Sequence, residues 1–196
     1  MNPENQDVDR LLLRIAALTQ ELAASKNENQ RLREGIEFLK VHPTIAGGVK
    51  GEELVSKLID RDRTTNNAGC DFDGDIRIEV KYSRLIRGNF GALRWQWMKV
   101  FGSGGKKKYH RLILIGDTDP KHAAKYLNPS CPFVFFDVPY EEVSNLTSDG
   151  GPGKRMIHLS TNPSKHVRSR ADALYTDYQV TAEIIEAKYR ASGPLL

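Results

Sequence analysis

Residues 8 to 39 repeat apolar side chains at alternating steps of three and four residues. The a positions of this heptad repeat carry Val8, Ile15, Leu22, Asn29 and Ile36, and the d positions carry Leu11, Leu18, Ser25, Leu32 and Leu39. So narrow and regular a seam is typical of a coiled coil, because only two positions in seven then face the neighbouring helix. The pattern predicts a long helix that packs against a second helix rather than against its own domain.

The residues of this seam favour a parallel homodimer. Branched residues at a with leucine at d favour two parallel strands, and Asn29 at an a position can pair with its copy and fix the register. Glu21 and Glu28 at g positions would face Lys26 and Arg33 at e positions of the second chain, in exposed pairs that contribute only about 0.5 kcal/mol each. We predict a dimerisation helix over residues 1–42 that depends on Leu11, Ile15, Leu18, Leu22, Asn29, Leu32, Ile36 and Leu39.

The remaining residues, 43–196, are predicted to form one globular domain. Pro43 and Gly47-Gly48 are expected to break the preceding helix. The chain has 196 residues, of which 39% are hydrophobic and 28% charged, with a formal net charge of +4. It has no apolar run long enough to span a membrane and no secretory signal, so we expect a cytoplasmic protein without membrane contact. Cys70 and Cys131 are predicted to be buried free thiols, and no zinc site is expected.

The stretch "CDFDGDIRIEVKYSR", residues 70–84, predicts a β-hairpin with charges concentrated on one face. If Phe72 pairs with Ile76, the loop is Asp73-Gly74-Asp75 and the apolar residues of both strands share one face. Asp71 then lies on the same face as Glu79 and Lys81. A two-residue loop at Asp73-Gly74 would instead turn the Asp71 carboxylate toward the core, at a large cost in free energy.

Two neighbouring carboxylates repel each other unless a positive charge lies between them, so this face is suited to a divalent cation. Carboxylate oxygens suit Mg²⁺, which keeps waters and phosphate oxygens as its other ligands. Lys81 would hold or deprotonate a water, or stabilise charge on an attacked phosphate. We therefore interpret the hairpin as a phosphodiesterase site; the alternative is an ordinary solvated strand face.

The helix predicted over residues 48–61 places two glutamates before this hairpin. Its apolar residues form one face, Glu53 lies nearly opposite that face, and Glu52 lies on its border. We expect Glu53 to be a solvated helix charge and Glu52 to reach a partly buried partner.

Asp71 with Glu79-Val80-Lys81, after a helix that carries Gly51-Glu52 and before a predicted helix and a buried strand, resembles the PD-(D/E)xK nucleases of the restriction-endonuclease-like superfamily. The resemblance covers about residues 48–140 and implies an α/β fold with an αβββαβ core, in which helices flank a central mixed sheet. It implies that Asp71 and Glu79 bind Mg²⁺, for which Mn²⁺ would substitute, and that Lys81 is catalytic. Glu52 would join the site through water, and Asp73 remains an alternative to Asp71 as metal ligand.

From Val80 to Gly116 the sequence has no acidic residue and nine basic ones. This bias predicts a phosphate-binding surface, although a solvated face balanced by acids elsewhere would look the same. The residues predicted to bind DNA are Arg84, Arg87, Arg94, Gln96, Lys99, Lys106, Lys107 and Lys108. Residues 89–102 are expected to form a helix with Trp97 in the core and Trp95 free to stack on a base or sugar.

Four further segments complete the domain. "RLILIG" and "PFVFFDV" predict two strands buried on both faces. We expect a short helix between them at residues 119–127, and an amphipathic helix near the end of the chain in "VTAEIIEAKYR". Residues 148–170 are predicted to form a basic loop that either contacts DNA or is a mobile surface loop.

These observations, taken with the resemblance, predict a magnesium-dependent, homodimeric endodeoxyribonuclease; the restriction type is what the resemblance implies. An alternative is a dimeric DNA-binding or scaffold protein without catalysis, in which Asp71, Glu79 and Lys81 are merely solvated. An RNA-cutting enzyme of the same fold is also open, because the composition does not exclude it.

Overall fold

A computed structural model describes residues 14–27, 29–30, 33, 43–65, 69–88, 91–102, 107–149, 155–163 and 169–190. The chain divides into two compact units, Met1–Ala46 and Gly47–Leu196. No helix in the described ranges is long and apolar enough to cross a membrane.

In the first unit, residues 14–27 form helix α1, and residues 29, 30 and 33 are also helical. The predicted helix is thus present over these residues. Its seam residues Ile15, Leu18 and Leu22 are 58%, 46% and 55% exposed in the single chain. Leu11, Leu32, Ile36 and Leu39 lie outside the described residues, and dimerisation stays a prediction.

Helix α2 spans Pro43–Ile59. The predicted break at Gly47-Gly48 is wrong, because both glycines lie inside this helix. Gly47 and Gly51 allow close packing on Tyr82 instead: a Cβ at Gly51 would lie 2.7 Å from the Cβ of Tyr82, and one at Gly47 would lie 3.2 Å from Tyr82 Cδ1. Pro43 is the first residue of α2, where its missing N–H is tolerated.

The central sheet, sheet A, contains β1 (Ile78–Ser83), β4 (Arg111–Asp117), β5 (Phe133–Pro139) and β8 (Gln179–Val180), in the order β1-β4-β5-β8. β1 and β4 are parallel, whereas β4 with β5 and β5 with β8 are antiparallel. β4 and β5 are buried along most of their length, as their unbroken apolar runs predict. The predicted mixed sheet is therefore confirmed.

The second sheet, sheet B, is antiparallel and was not predicted. It contains β2 (Ile86–Arg87), β3 (Leu93–Met98), β7 (Arg155–Ser160) and β6 (Ser148–Asp149), in that order. β3 lies where a helix was predicted over residues 89–102, so that prediction is wrong. Trp95 and Trp97 are 0% and 1% exposed and alternate with half-buried Arg94 and Gln96, which is the period of a strand. The partner β7 comes from the segment predicted to be a loop.

Sheet A is covered on its two faces by different elements. Helices α2 and α4 (Ala182–Tyr189) pack on one face, around Ile113 and Ile115 of β4. Sheet B and helix α3 (Tyr140–Leu146) pack on the other, around Leu112 and Leu114. The predicted C-terminal helix is confirmed as α4, whereas the short helix expected at 119–127 is only a 3-10 turn, Ala123–Lys125.

The α/β class with a mixed sheet and helices is confirmed, but the expected order of elements is not. Within its described residues, the connection between β1 and β4 contains β2 and β3 and no α-helix. Sheet B thus covers the face where the αβββαβ pattern requires a helix. Both cysteines are free thiols; Cys70 is buried as predicted, and Cys131 is only half-buried.

Candidate active site

The segment that carries Asp71 forms no regular strand; it meets β1 through one bridge, in a different register from the predicted one. Phe72 pairs with Ile78 in an antiparallel bridge, not with Ile76, which is 36% exposed. The loop lengthens because the Arg77 N–H donates to Nδ1 of His110 at 3.1 Å instead of bonding across the hairpin. Side chains alternate between the two faces with a period of two residues. A register shift of two residues therefore leaves Asp71 on the same face as Glu79.

Two hydrogen bonds hold Asp71 in place. Its backbone N–H donates to the carbonyl oxygen of Ile78 at 3.0 Å, and its Oδ2 accepts the backbone N–H of Val80 at 2.7 Å. The second bond leaves Oδ1 as the oxygen that faces the rest of the site. The Asp71 carboxylate is therefore oriented by the backbone of β1 itself.

Glu79 is the most deeply buried charged residue of the site, with a side chain that is 0% exposed. Both of its carboxylate oxygens lie 2.6 Å from the Lys107 ammonium, and Oε1 also contacts the Lys81 ammonium. Burial raises the pKa of Glu79, and the charge of Asp71 adds to this against the opposing effects of Lys81 and Lys107. The two lysines supply the positive charge that a buried carboxylate requires.

Lys81 lies beside Glu79 on the same edge of the site. Its half-buried ammonium donates to Glu79 and, at 3.2 Å, to the carbonyl oxygen of Val80. Glu79 and Lys81 are thus held together although they are two positions apart on one strand, where side chains share a face.

Glu52 reaches the site from α2. Its half-buried carboxylate accepts a hydrogen bond from Nη1 of Arg63 at 3.0 Å. Burial and the charge of Asp71 raise the pKa of Glu52, while Arg63 and Lys81 lower it. The charges of Asp71 and Lys81 thus act on Glu52, while its carboxylate contacts Arg63; direct contacts through Lys107 and Lys81 join Asp71, Glu79 and Lys81. Glu53 is exposed, as expected.

The oxygen atoms of the site suit a hard cation. In the part of the chain that the structure describes, no three His, Cys, Asp or Glu side chains are grouped as a metal site. Asp71 Oδ1 and the Glu79 carboxylate do, however, contact one and the same ammonium group, at 3.2 Å and 2.6 Å. Both carboxylates are thus within reach of a single cation, and Mg²⁺ typically takes one or two protein carboxylates and keeps several waters.

Lys107 was predicted to be a surface lysine for DNA, but it lies between Asp71 and Glu79. The backbone N–H of Lys107 donates to the carbonyl oxygen of Phe101 at 3.2 Å. This hydrogen bond closes the loop that begins at Gly102. Gly102 has φ +76°, and a Cβ there would lie 2.7 Å from Lys107 Cγ. The absence of a side chain at Gly102 therefore leaves the space that the Lys107 side chain occupies. Nothing in the local pattern of "KKK" distinguishes Lys107; only the chain fold reveals its position.

Of the other residues predicted to bind DNA, Arg87, Arg94 and Gln96 lie in strands of sheet B. Arg84, Arg87, Lys99 and Lys108 are exposed, and Lys106 lies outside the described residues. Arg94 and Gln96 are half-buried in β3, where Gln96 Nε2 donates to Met156 Sδ at 3.5 Å.

The expectation that Trp95 lies away from the core, where it would be free to stack on a base or sugar, is wrong. Its ring is fully buried, and its Nε1 donates to the carbonyl oxygen of Asp117 at 2.9 Å. A Cβ at Gly116 of β4 would lie 2.4 Å from that Nε1, so the indole packs directly on the backbone of sheet A. Trp95 therefore joins the two sheets.

No protein-family model matches this chain, and no curated protein is significantly similar to it in sequence. Evidence about function therefore comes from the side chains of the site and their geometry.

Proposed function

We propose that this protein is a magnesium-dependent endonuclease that hydrolyses DNA phosphodiester bonds. The observation that carries the proposal is the contact of Asp71 and Glu79 with a single cationic group, next to the ammonium of Lys81. Carboxylates on either side of a cation, with a lysine at the edge, are the groups needed to position a phosphate and a water. The same four residues, Glu52 included, carry the resemblance to PD-(D/E)xK nucleases.

Each residue has a separate task in the proposed reaction. Asp71 and Glu79 would hold Mg²⁺, which supplies Lewis-acid activation of water and phosphate when it is bound. Lys81 would donate a hydrogen bond to the attacking water or to the phosphate oxygens on which negative charge builds. Glu52, with its raised pKa and its proximity to Asp71, would orient a water through its carboxylate.

The proposed fold is a variant of the restriction-endonuclease-like core. Helix α2 with Glu52, the segment with Asp71, β1 with Glu79 and Lys81, and the parallel strand β4 would be the counterparts of elements of that core. The departure is the connection from β1 to β4, in which sheet B would replace the helix of the αβββαβ pattern. This replacement keeps an apolar cover on sheet A through Trp95 and Trp97.

The proposed enzyme acts as a homodimer on duplex DNA. Ile15, Leu18 and Leu22 are exposed along the helix of the single chain, and the same seam on a second copy would cover them. Each chain would bring one site to one strand, as a double-strand cutter of the restriction type requires. The exposed Arg84, Arg87, Lys99 and Lys108 would contact phosphates.

A second candidate function is a dimeric DNA-binding or scaffold protein without catalysis. The observation that favours it is the charge balance of the site, in which Lys81 and Lys107 neutralise Asp71 and Glu79 without any metal. In that case the four side chains would be a structural ion-pair network, and Mg²⁺ would have no effect on bound DNA.

Cleavage of supercoiled plasmid by the full-length protein separates these functions. We expect nicked and linear DNA with Mg²⁺ or Mn²⁺, none with EDTA, and a loss of about 10²–10⁴-fold in rate for Lys81→Met. Lys57→Met, which removes an exposed lysine of α2, is the matched control and should cleave like the wild type. Plasmid that is bound but not cut, at any metal concentration, would favour the second candidate.

A further inference from the structure

Lys107 is the residue whose position the proposed function leaves unexplained. Its ammonium contacts three carboxylate oxygens, Asp71 Oδ1 at 3.2 Å and Glu79 Oε1 and Oε2 at 2.6 Å each. These contacts place the Lys107 ammonium between the two carboxylates, where it pairs with both of them.

A divalent metal and this ammonium need the same oxygens. Mg²⁺ binds carboxylate oxygens at about 2.0–2.1 Å, in a near-ideal octahedron that leaves no room for a second cation on the same lone pairs. Like charges at such short separation repel strongly in a partly buried site. Metal binding at Asp71 and Glu79 thus requires the Lys107 ammonium to leave.

The Lys107 ammonium can move away from the carboxylates. Glu79 still has a cationic partner when Lys107 does so. The Lys107 side chain is 26% exposed, so solvent already reaches it, and its long stem ends in freely rotating bonds. Lys81 contacts Glu79 independently, at Oε1. The buried carboxylate therefore keeps one cation throughout the exchange.

We propose that Lys107 is a resident counter-ion that the divalent metal must displace, so that this side chain sets the metal affinity of the site. The inference rests on the proposed function, because it takes Asp71 and Glu79 as the metal ligands. Lys107 is a positioning residue here: it keeps the two carboxylates oriented toward one point before metal binds, and it weakens metal binding by competition.

Mn²⁺ binding to the full-length protein without DNA tests this proposal directly, with free Mn²⁺ followed by its electron paramagnetic resonance signal. Lys107→Met, which removes the charge but keeps the length, should bind Mn²⁺ about 10- to 100-fold more tightly than the wild type. Lys107→Arg, which keeps the charge, should bind as weakly as the wild type. Lys57→Met controls for the loss of one positive charge elsewhere in the protein.

A second measurement uses the wild-type protein alone and so does not depend on the folding of a variant. Amine methylation followed by peptide mass spectrometry should show faster modification of Lys107 when Mg²⁺ is added, with exposed Lys108 as internal reference. Equal or weaker Mn²⁺ affinity in Lys107→Met, or Lys107 modification that Mg²⁺ does not change, would overturn the proposal.

These results are distinguishable from failure of the nuclease itself. Tighter Mn²⁺ binding in Lys107→Met together with an intact plasmid would support the counter-ion and reject the nuclease. Metal-dependent cleavage together with unchanged Mn²⁺ affinity in Lys107→Met would support the nuclease and reject the counter-ion. Absence of Mn²⁺ binding in every protein would reject both.

Discussion

The ammonium of Lys107 lies 2.6 Å from both carboxylate oxygens of Glu79, a residue 28 positions earlier in the chain. This contact joins the strand that carries Glu79 to a loop that no local pattern connects with it. It makes the candidate site part of the packed domain, because the Glu79 carboxylate has no exposed surface and depends on the two lysines for its charge balance.

Glu79→Gln should abolish cleavage while the protein remains folded. The amide keeps the shape of the side chain but removes the charge that the metal and both lysines contact, so we expect a rate loss on the order of 10²-fold or more. Single-turnover cleavage of plasmid measures the effect. Glu53→Gln, an exposed glutamate on α2, is the matched control; equal activity of the two variants would contradict the assignment of Glu79.

Gly51→Ala should destabilise the packing of α2 on β1, because the new Cβ would lie 2.7 Å from the Cβ of Tyr82. We expect a loss of about 1–3 kcal/mol in the free energy of unfolding. Gly48→Ala is the matched control, since its nearest heavy atom, Glu52 Oε1, would lie 4.0 Å away. Alanine should stabilise the helix at position 48 by about 0.5–1 kcal/mol. Urea unfolding distinguishes the two; equal stability would mean that α2 does not pack closely on Tyr82.

Asp137 anchors α4 to sheet A and predicts a pH dependence of stability. Its Oδ1 accepts from Arg111 Nε at 2.8 Å, and its Oδ2 accepts from Lys188 Nζ and the Tyr189 hydroxyl at 2.7 Å each. Burial alone would raise the pKa of Asp137, but these hydrogen bonds lower it below its usual 3.8. Because the pKa of Asp137 is lower in the folded protein than in the unfolded one, its ionised carboxylate stabilises the fold at pH values above the unfolded-state pKa. This stabilisation is lost as the pH falls through the folded-state pKa.

Asp137→Asn should therefore lower the free energy of unfolding at pH 7 by about 2–4 kcal/mol, because it removes the negative charge that pairs with half-buried Arg111, while Lys188 stays solvated. The difference from the wild type should shrink as the pH falls from about 4 toward 2. Urea unfolding across this range provides the measurement, with exposed Asp177→Asn as control. A difference that does not change with pH would contradict the ionised role of Asp137.

Leu18→Glu should convert the proposed dimer to a monomer, because it places a charge at a d position of the predicted seam. Gln20→Glu, which adds the same charge two residues away at an f position, should leave the dimer intact. Light scattering on the two proteins and the wild type gives the masses. A wild-type mass of one chain would contradict the coiled coil.

Sequence patterns predicted the parts of this fold that depend on local periodicity. The apolar runs of β4 and β5 and the amphipathic pattern of α4 depend only on neighbouring residues, and these elements are present. β3 was mistaken for a helix because Leu93, Trp97 and Phe101 also fit a helical face. Its strand conformation is determined by pairing with β7, whose Ile157 lies opposite Trp97 across 60 residues of chain.

The site was predictable to the extent that it lies on one strand. Glu79 and Lys81 share a face because they are two residues apart. The face of Asp71 was also predicted correctly although the predicted register was wrong, because a register shift of two residues leaves every side chain on the same face. The turn was longer than expected because the backbone of Arg77 bonds to His110, a contact between segments far apart in sequence. Lys107 could not be predicted for the same reason.

The central claim is that the Asp71 carboxylate takes part in metal-dependent cleavage of DNA, and a comparison of Asp71→Asn with Asp73→Asn tests it most directly. Asp71 lies beside Lys107 and accepts the Val80 N–H, whereas exposed Asp73 accepts the N–H of Gly74 in the turn, at 3.0 Å. With Mg²⁺ and supercoiled plasmid, Asp73→Asn should cleave like the wild type and Asp71→Asn should not cleave at a measurable rate. Cleavage by Asp71→Asn at the wild-type rate would contradict the account.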